Sequence, residues 1–222
     1  MSVEINNLNK TIHGVTILSN ISMSMPSGCV TGLAGVNGSG KTMLMRAVAG
    51  LIRPNSGTID IDGNRLWRDI SFPPSVGLLI ENPAFLDDRT GLENLQILAS
   101  IKGIVQENAL RQALEEVGLE PDDKRKFRKY SLGMKQRLGI AAATMEQPNL
   151  LLLDEPTNAL DSDGVVLFKH ILAKARARGA TCIVSCHDAS VLREVSDSIY
   201  YLAEGHIDGY EELTSVNNLQ RS

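Results

Sequence analysis

The chain has 222 residues, of which 43% are hydrophobic and 22% charged, with a formal net charge of -4. This balance belongs to a folded globular protein able to build a large core, and it excludes a disordered chain. The acidic excess argues against a nucleic-acid partner, and no run approaches the roughly 18 to 20 apolar residues of a membrane-spanning helix. The segment Met1 to Asn7 lacks the basic start and apolar block of a secretory signal, which points to the cytoplasm. Cys29, Cys182 and Cys186 form no C-x-x-C pair, and Cys182 and Cys186 read as small buried side chains.

In chain order, β-rich segments come first: Ser2 to Ile5, Ile17 to Met25, and Cys29 to Ala34, the last entering a glycine-rich turn. A helix is predicted from Thr42 to Ala49, stopped by Gly50 and Pro54. Gly57 to Gly63 alternates polar and apolar residues and predicts a strand entering a turn. From Thr90 to about Ala143 the pattern is helical. The basic run Lys124 to Lys129 within it reads as a solvated face in preference to an anion site. Asn149 to Leu153 and Ala180 to Ser185 read as strands buried on both faces, with a helix capped by Asp161 between them. Strand, helix, strand in this order predicts a parallel sheet covered by helices.

Three segments carry chemistry. Gly35-Val36-Asn37-Gly38-Ser39-Gly40-Lys41-Thr42 fits G-x-x-x-x-G-K-[ST] between a predicted strand and a predicted helix. Its glycines let backbone N–H groups surround phosphates, Lys41 reaches the terminal phosphates, and the Thr42 hydroxyl is suited to Mg²⁺. These features predict ATP as ligand. Leu150 to Leu153 followed by Asp154 and Glu155 is an apolar strand ending in two carboxylates. Asp154 then serves as a metal ligand and Glu155 as the base for an attacking water. The third segment, Tyr130-Ser131-Leu132-Gly133-Met134-Lys135-Gln136-Arg137, precedes a helical stretch from Leu138 to Met145.

With these three segments the chain resembles the ATP-binding cassette family, and the resemblance runs over essentially its whole length. Tyr130 to Arg137 is similar to the L-S-G-G-Q signature, with Leu132 at the first glycine and Met134 at the glutamine. Asn158 to Asp161 looks like the family's D-loop, and Ser185 to Asp188 like its switch-histidine segment. The resemblance implies an α/β P-loop NTPase with a RecA-like core, an N-terminal antiparallel β subdomain and an inserted helical subdomain. The expected bounds are 1–85 with 145–222 for the core and 86–144 for the helical insertion.

The resemblance further implies that His187 contacts the γ-phosphate and that Ile12 takes the place of an aromatic residue stacked on adenine. It puts Glu81 where a glutamine metal ligand is expected, and it gives Ser131, Gly133 and Asp161 a part in closing the site of a second copy or paralogue. It implies ATP and Mg²⁺ as cofactors and a separate transmembrane permease as partner, with the chain peripheral on the cytoplasmic face of the membrane. Ile80-Glu81-Asn82-Pro83 together with Tyr130 to Met134 is similar to the bacitracin-resistance and lantibiotic-immunity branch. Export of antimicrobial peptides is the expectation. Two alternatives stay open: a cassette ATPase uncoupled from transport, and an ATP-binding module without efficient hydrolysis.

Overall fold

Two turns with positive φ organise the N-terminal sheet of the computed structural model, which describes residues 1–213. His13 (φ 48°) and Gly14 (φ 81°) join β1 (Val3–Ile12) to β2 (Val15–Met25) in an antiparallel hairpin. Asp62 (φ 48°) and Gly63 (φ 79°) join β4 (Ser56–Ile61) to β5 (Asn64–Arg65). The sheet order is β2-β1-β4-β5. The strand expected at Ser2 to Ile5 extends to Ile12, beyond its visible alternation. The pairing slips between Ile5 and Leu8 and again around Lys10, with Asn7 and Asn20 at positive φ. These bulges break the period of two on which the sequence reading depended.

β3 (Val30–Ala34) leads through the glycine loop into α1 (Lys41–Val48). β6 (Val76–Leu79) leads into three helices, α2 (Gly91–Lys102), α3 (Glu107–Glu116) and α4 (Leu132–Thr144). Then come β7 (Leu150–Leu153), α5 (Ser162–Ala177), β8 (Thr181–Ser185), α6 (Ala189–Val195), β9 (Ser198–Ala203) and β10 (His206–Glu212). The larger sheet runs β10-β9-β3-β8-β7-β6, parallel throughout except for β10. α4 begins at Leu132, six residues earlier than the helical stretch expected from Leu138. Ser131 caps it there by accepting a hydrogen bond from the Met134 N–H at 3.2 Å. The sequence-based core boundary at 222 lies beyond the described residues.

The larger sheet divides the core. Leu150 and Leu152 of β7 pack on the side of α1 and the N-terminal sheet, with Leu44, Met45 and Ile59. Leu151 and Leu153 pack on the opposite side, with Phe168 and Leu172 of α5 and Leu138 of α4. All four leucines are fully buried, each contributing about 1.5–3 kcal/mol. The helical block is seated by close approach: a Cβ on Gly77 of β6 would stand 1.9 Å from the carbonyl oxygen of Ala143. Only glycine lets α4 lie against that strand. Because β3, β6, β7 and β8 are parallel, Ala34, Leu79, Leu153 and Ser185 all end at one edge, where α/β sheets carry their ligands.

Candidate functional site

The loop after β3 is shaped as an anion cradle. Gly35 has φ 146°, and a Cβ there would stand 2.2 Å from the Leu202 carbonyl oxygen. Gly35, Asn37 and Gly38 are exposed, whereas Ser39, Gly40 and Lys41 are buried. At Gly38 (φ 80°) nothing lies within 4 Å of where a Cβ would be, so the loop opens outward there. α1 begins after Gly40 without a side-chain cap, which leaves the N–H groups of its first turn directed at the loop. The buried Ser39 hydroxyl has no hydrogen-bond partner. The Lys41 ammonium donates to the carbonyls of Gly35 at 2.6 Å and Val36 at 3.1 Å, so its charge spans the mouth. Free donors, an orphaned hydroxyl and a fixed cation fit a polyphosphate.

Beside the cradle, the Thr42 hydroxyl donates to Asp154 Oδ2 at 2.5 Å. The Ser185 hydroxyl donates to Asp154 Oδ1 at 2.5 Å and accepts the Glu155 N–H at 2.9 Å. Among the described residues no three His, Cys, Asp or Glu side chains cluster as a metal site. The available donors are a hydroxyl and a carboxylate, hard oxygens of the kind Mg²⁺ prefers when phosphates complete its shell. The donor set fits that ion.

Glu155 follows β7 in a left-handed conformation, φ 50°, that a non-glycine residue adopts at a cost. Its Oε2 accepts the His187 N–H at 2.9 Å. Its Oε1 lies 3.4 Å from His187 Nε2, too far for a good hydrogen bond, and this buried oxygen has no donor. Burial pushes the carboxyl above its ordinary value, with His187 and Lys41 pulling the other way. A partly desolvated carboxylate with one free oxygen is chemically a base awaiting a proton donor. The Cys186 thiol beside it is also raised by burial and lies 3.1 Å from the Thr157 hydroxyl.

Ser131, Gly133, Ala159 and Asp161 line one pocket of about 380 Å³ on the helical side. Leu132, expected at a signature glycine position, is 67% exposed, while Met134 turns back onto the core. Asp161 caps α5 through the Gly164 N–H at 2.8 Å and pairs with Arg137 at 2.6 Å, and both contacts hold its carboxyl below the usual range. Gln136 donates to the carbonyls of Glu155 and Pro156, each at 3.1 Å, tying α4 to the end of β7. Ile12 lies at the turn end of the first hairpin opposite the exposed Val15, and β2 leans on Gly40 through Ile17 and Leu18. Glu81 is exposed, at φ 62°, and pairs with Arg46 at 2.5 Å.

The basic run lies over a buried Phe127, with Arg125 on Asp123 at 2.7 Å and Lys126 on Glu93 at 3.0 Å, a solvated face as expected. Sequence reading assigned no role to Ser185, Gln136, Arg137 or Arg46. Ser185 had a visible signal, a hydroxyl directly after the apolar run Cys182–Val184; the other three depend on partners 20, 24 and 35 residues away.

Residues 18–158 match the family model described as ABC transporter. The chain is 46% identical over 211 residues to an uncharacterized ABC transporter ATP-binding protein, YybJ, of Bacillus subtilis, covering 95% of this chain and 97% of that one. It is 41% identical to the bacitracin transport ATP-binding protein BcrA of Enterococcus faecalis, over 92% of this chain and 67% of that protein. It is 37% identical to the lantibiotic transport ATP-binding protein SrtF of Streptococcus pyogenes, over 98% and 96%. The fold superposes with a TM-score of 0.86 on the dimeric post-hydrolysis structure of the ATP-binding cassette MJ0796 bound to ADP and Pi, at 25% identity over 95% and 98% of the two chains.

Proposed function

The chain belongs to the ABC transporter family as an ATP-binding and ATP-hydrolysing subunit, and from that premise we propose that it powers export of bacitracin- or lantibiotic-like peptides through a separate permease. The names of BcrA and SrtF support the substrate class. No described helix is long and apolar enough to cross a membrane; in the proposed reading a partner supplies the pathway and this chain works on its cytoplasmic face. Two ATPase subunits act together. The single observation carrying the reading is the bonded series Thr42–Asp154–Ser185–Glu155–His187 at the strand edge beside Lys41.

When bound, ATP supplies the phosphoanhydride and Mg²⁺ neutralises charge on its phosphates. Backbone N–H groups of the loop from Gly35 through Gly40 would surround the phosphates, the Ser39 N–H giving up its bond to the Val36 carbonyl, and Lys41 would exchange its two carbonyl partners for phosphate oxygen. Thr42, Asp154 and Glu81 would hold the metal, directly or through water. Ser185 fixes Asp154 and, through the Glu155 N–H, the next residue of the chain. Glu155 accepts the proton of the attacking water at its free oxygen, and His187 steadies Glu155 while donating toward the γ-phosphate. Ile12 covers the adenine with aliphatic surface in place of an aromatic ring. Ser131 and Gly133 close the opposite subunit's site, with Asp161 at the interface. Glu81 and the helical block pass the change to the permease.

Glu155→Gln tests this directly. Phosphate release should fall by about 10²-fold or more while ATP binding survives. Gel filtration in Mg²⁺ and ATP should show a species of twice the 24.1 kDa chain mass. Undiminished phosphate release would remove Glu155 from the role of base.

A further inference from the structure

Glu81 brings a negative charge to a position where the family resemblance leads one to expect a neutral amide. An uncompensated carboxylate there would repel a triphosphate. The structure supplies a counter-charge from α1. Arg46 Nη2 donates to Glu81 Oε1 at 2.5 Å, and Glu81 Oε2 receives no hydrogen bond from the described residues. Arg46 stands four residues after Thr42, on the same face of α1. Glu81 stands two residues beyond Leu79, whose carbonyl accepts the Asp154 N–H at 2.7 Å. The ion pair therefore flanks the Thr42–Asp154 pair.

We infer that Arg46 is a positioning residue for Glu81, and that the pair replaces a neutral amide: the guanidinium cancels the charge, grips one oxygen and leaves the other as a donor toward the metal. This rests on the reading that the phosphate loop binds ATP. Second-layer groups commonly orient and tune a metal's ligands in this manner. Because the Glu81 side chain is 60% exposed, salt screens its charge, and the effect of losing Arg46 is largest at low ionic strength.

The test measures ATP binding in EDTA at low ionic strength, so that neither turnover nor Mg²⁺ enters, for the parent, Arg46→Ala, Arg46→Lys, Glu81→Gln and the double variant Arg46→Ala with Glu81→Gln. Arg46→Ala should weaken binding by roughly three- to tenfold, an effect that shrinks as salt is added. Arg46→Lys should retain most of the affinity because the charge is kept. Glu81→Gln alone should bind ATP at least as well as the parent. The double variant should return to within about twofold of the parent, since both charges leave together. A thermal melt of each variant establishes that it is folded. A loss that persists in the double variant, or no loss in Arg46→Ala, overturns the inference while leaving the ATP reading intact. Failure of the folded parent to bind ATP would overturn that reading and the inference with it.

Discussion

At the scale of single residues, Glu155 concentrates the competing demands on the site. Burial disfavours its charged form, while the His187 N–H and the Lys41 ammonium favour it, and the balance lies above the ordinary value of 4.5. The folded chain therefore holds this proton more tightly than the unfolded chain does. Ionisation costs stability that is fully retained below the ordinary carboxylate range and is lost as pH rises through the raised value. Glu155→Gln removes that cost, so its melting temperature should exceed the parent's at pH 8, the gap closing as pH falls through the raised value into the ordinary carboxylate range. A constant gap across that range would show that the charge is not responsible. The acid was legible in the sequence because it ends an apolar strand. Its burial and free oxygen were not, since both depend on β8 delivering Ser185 and His187 from 30 and 32 residues away.

Among the elements, α2 shows how local chemistry sets a boundary. Thr90 accepts the Glu93 N–H at 3.2 Å, and the Glu93 carboxylate accepts the Thr90 N–H at 2.6 Å, a reciprocal capping box. The Thr90 N–H first, and Lys126 second, lower the Glu93 carboxyl to about 2. Thr90→Ala should cost about 1 kcal/mol and lower the melting temperature by about 2–4 °C, read from a thermal melt. An unchanged melt would show that tertiary packing alone fixes the start of α2. This start at Thr90 was legible because a capping box needs only neighbours in sequence. The full length of β1 was not: its bulges hide the alternation, and it is completed by hydrogen bonds to β2 and β4. The early start of α4 was masked by Leu132, an exposed apolar residue at the first turn.

For the whole molecule, α2 and its flanking loops present Leu86, Ile97, Ile101 and Ile104 to solvent, with Ile101 78% exposed. Apolar surface grouped this way costs solubility and marks a contact with another chain. Under the transport reading that chain is the permease. Ile101→Asp should leave the isolated chain's stability within about 0.5 kcal/mol and abolish co-purification with the permease. Retained co-purification would move the coupling surface elsewhere. Ser131, Gly133 and Asp161 line a pocket that includes none of the residues bonded around Lys41; under the proposed reading a second subunit brings the two together.

The order of the motifs along the chain, read by itself, was enough to establish the fold class and the ATPase family. A phosphate loop, an apolar strand ending in acids and a helix cap each use residues close together in sequence. Tertiary structure decided the pairings: Arg46 with Glu81, Arg137 with Asp161, and Ser185 between Asp154 and Glu155. No local rule specifies these, because they arise where parallel strands far apart in the chain end at one edge of a shared sheet. Hydrogen bonds and ion pairs depend on distance in space, and the packing of the sheet and helices sets that distance.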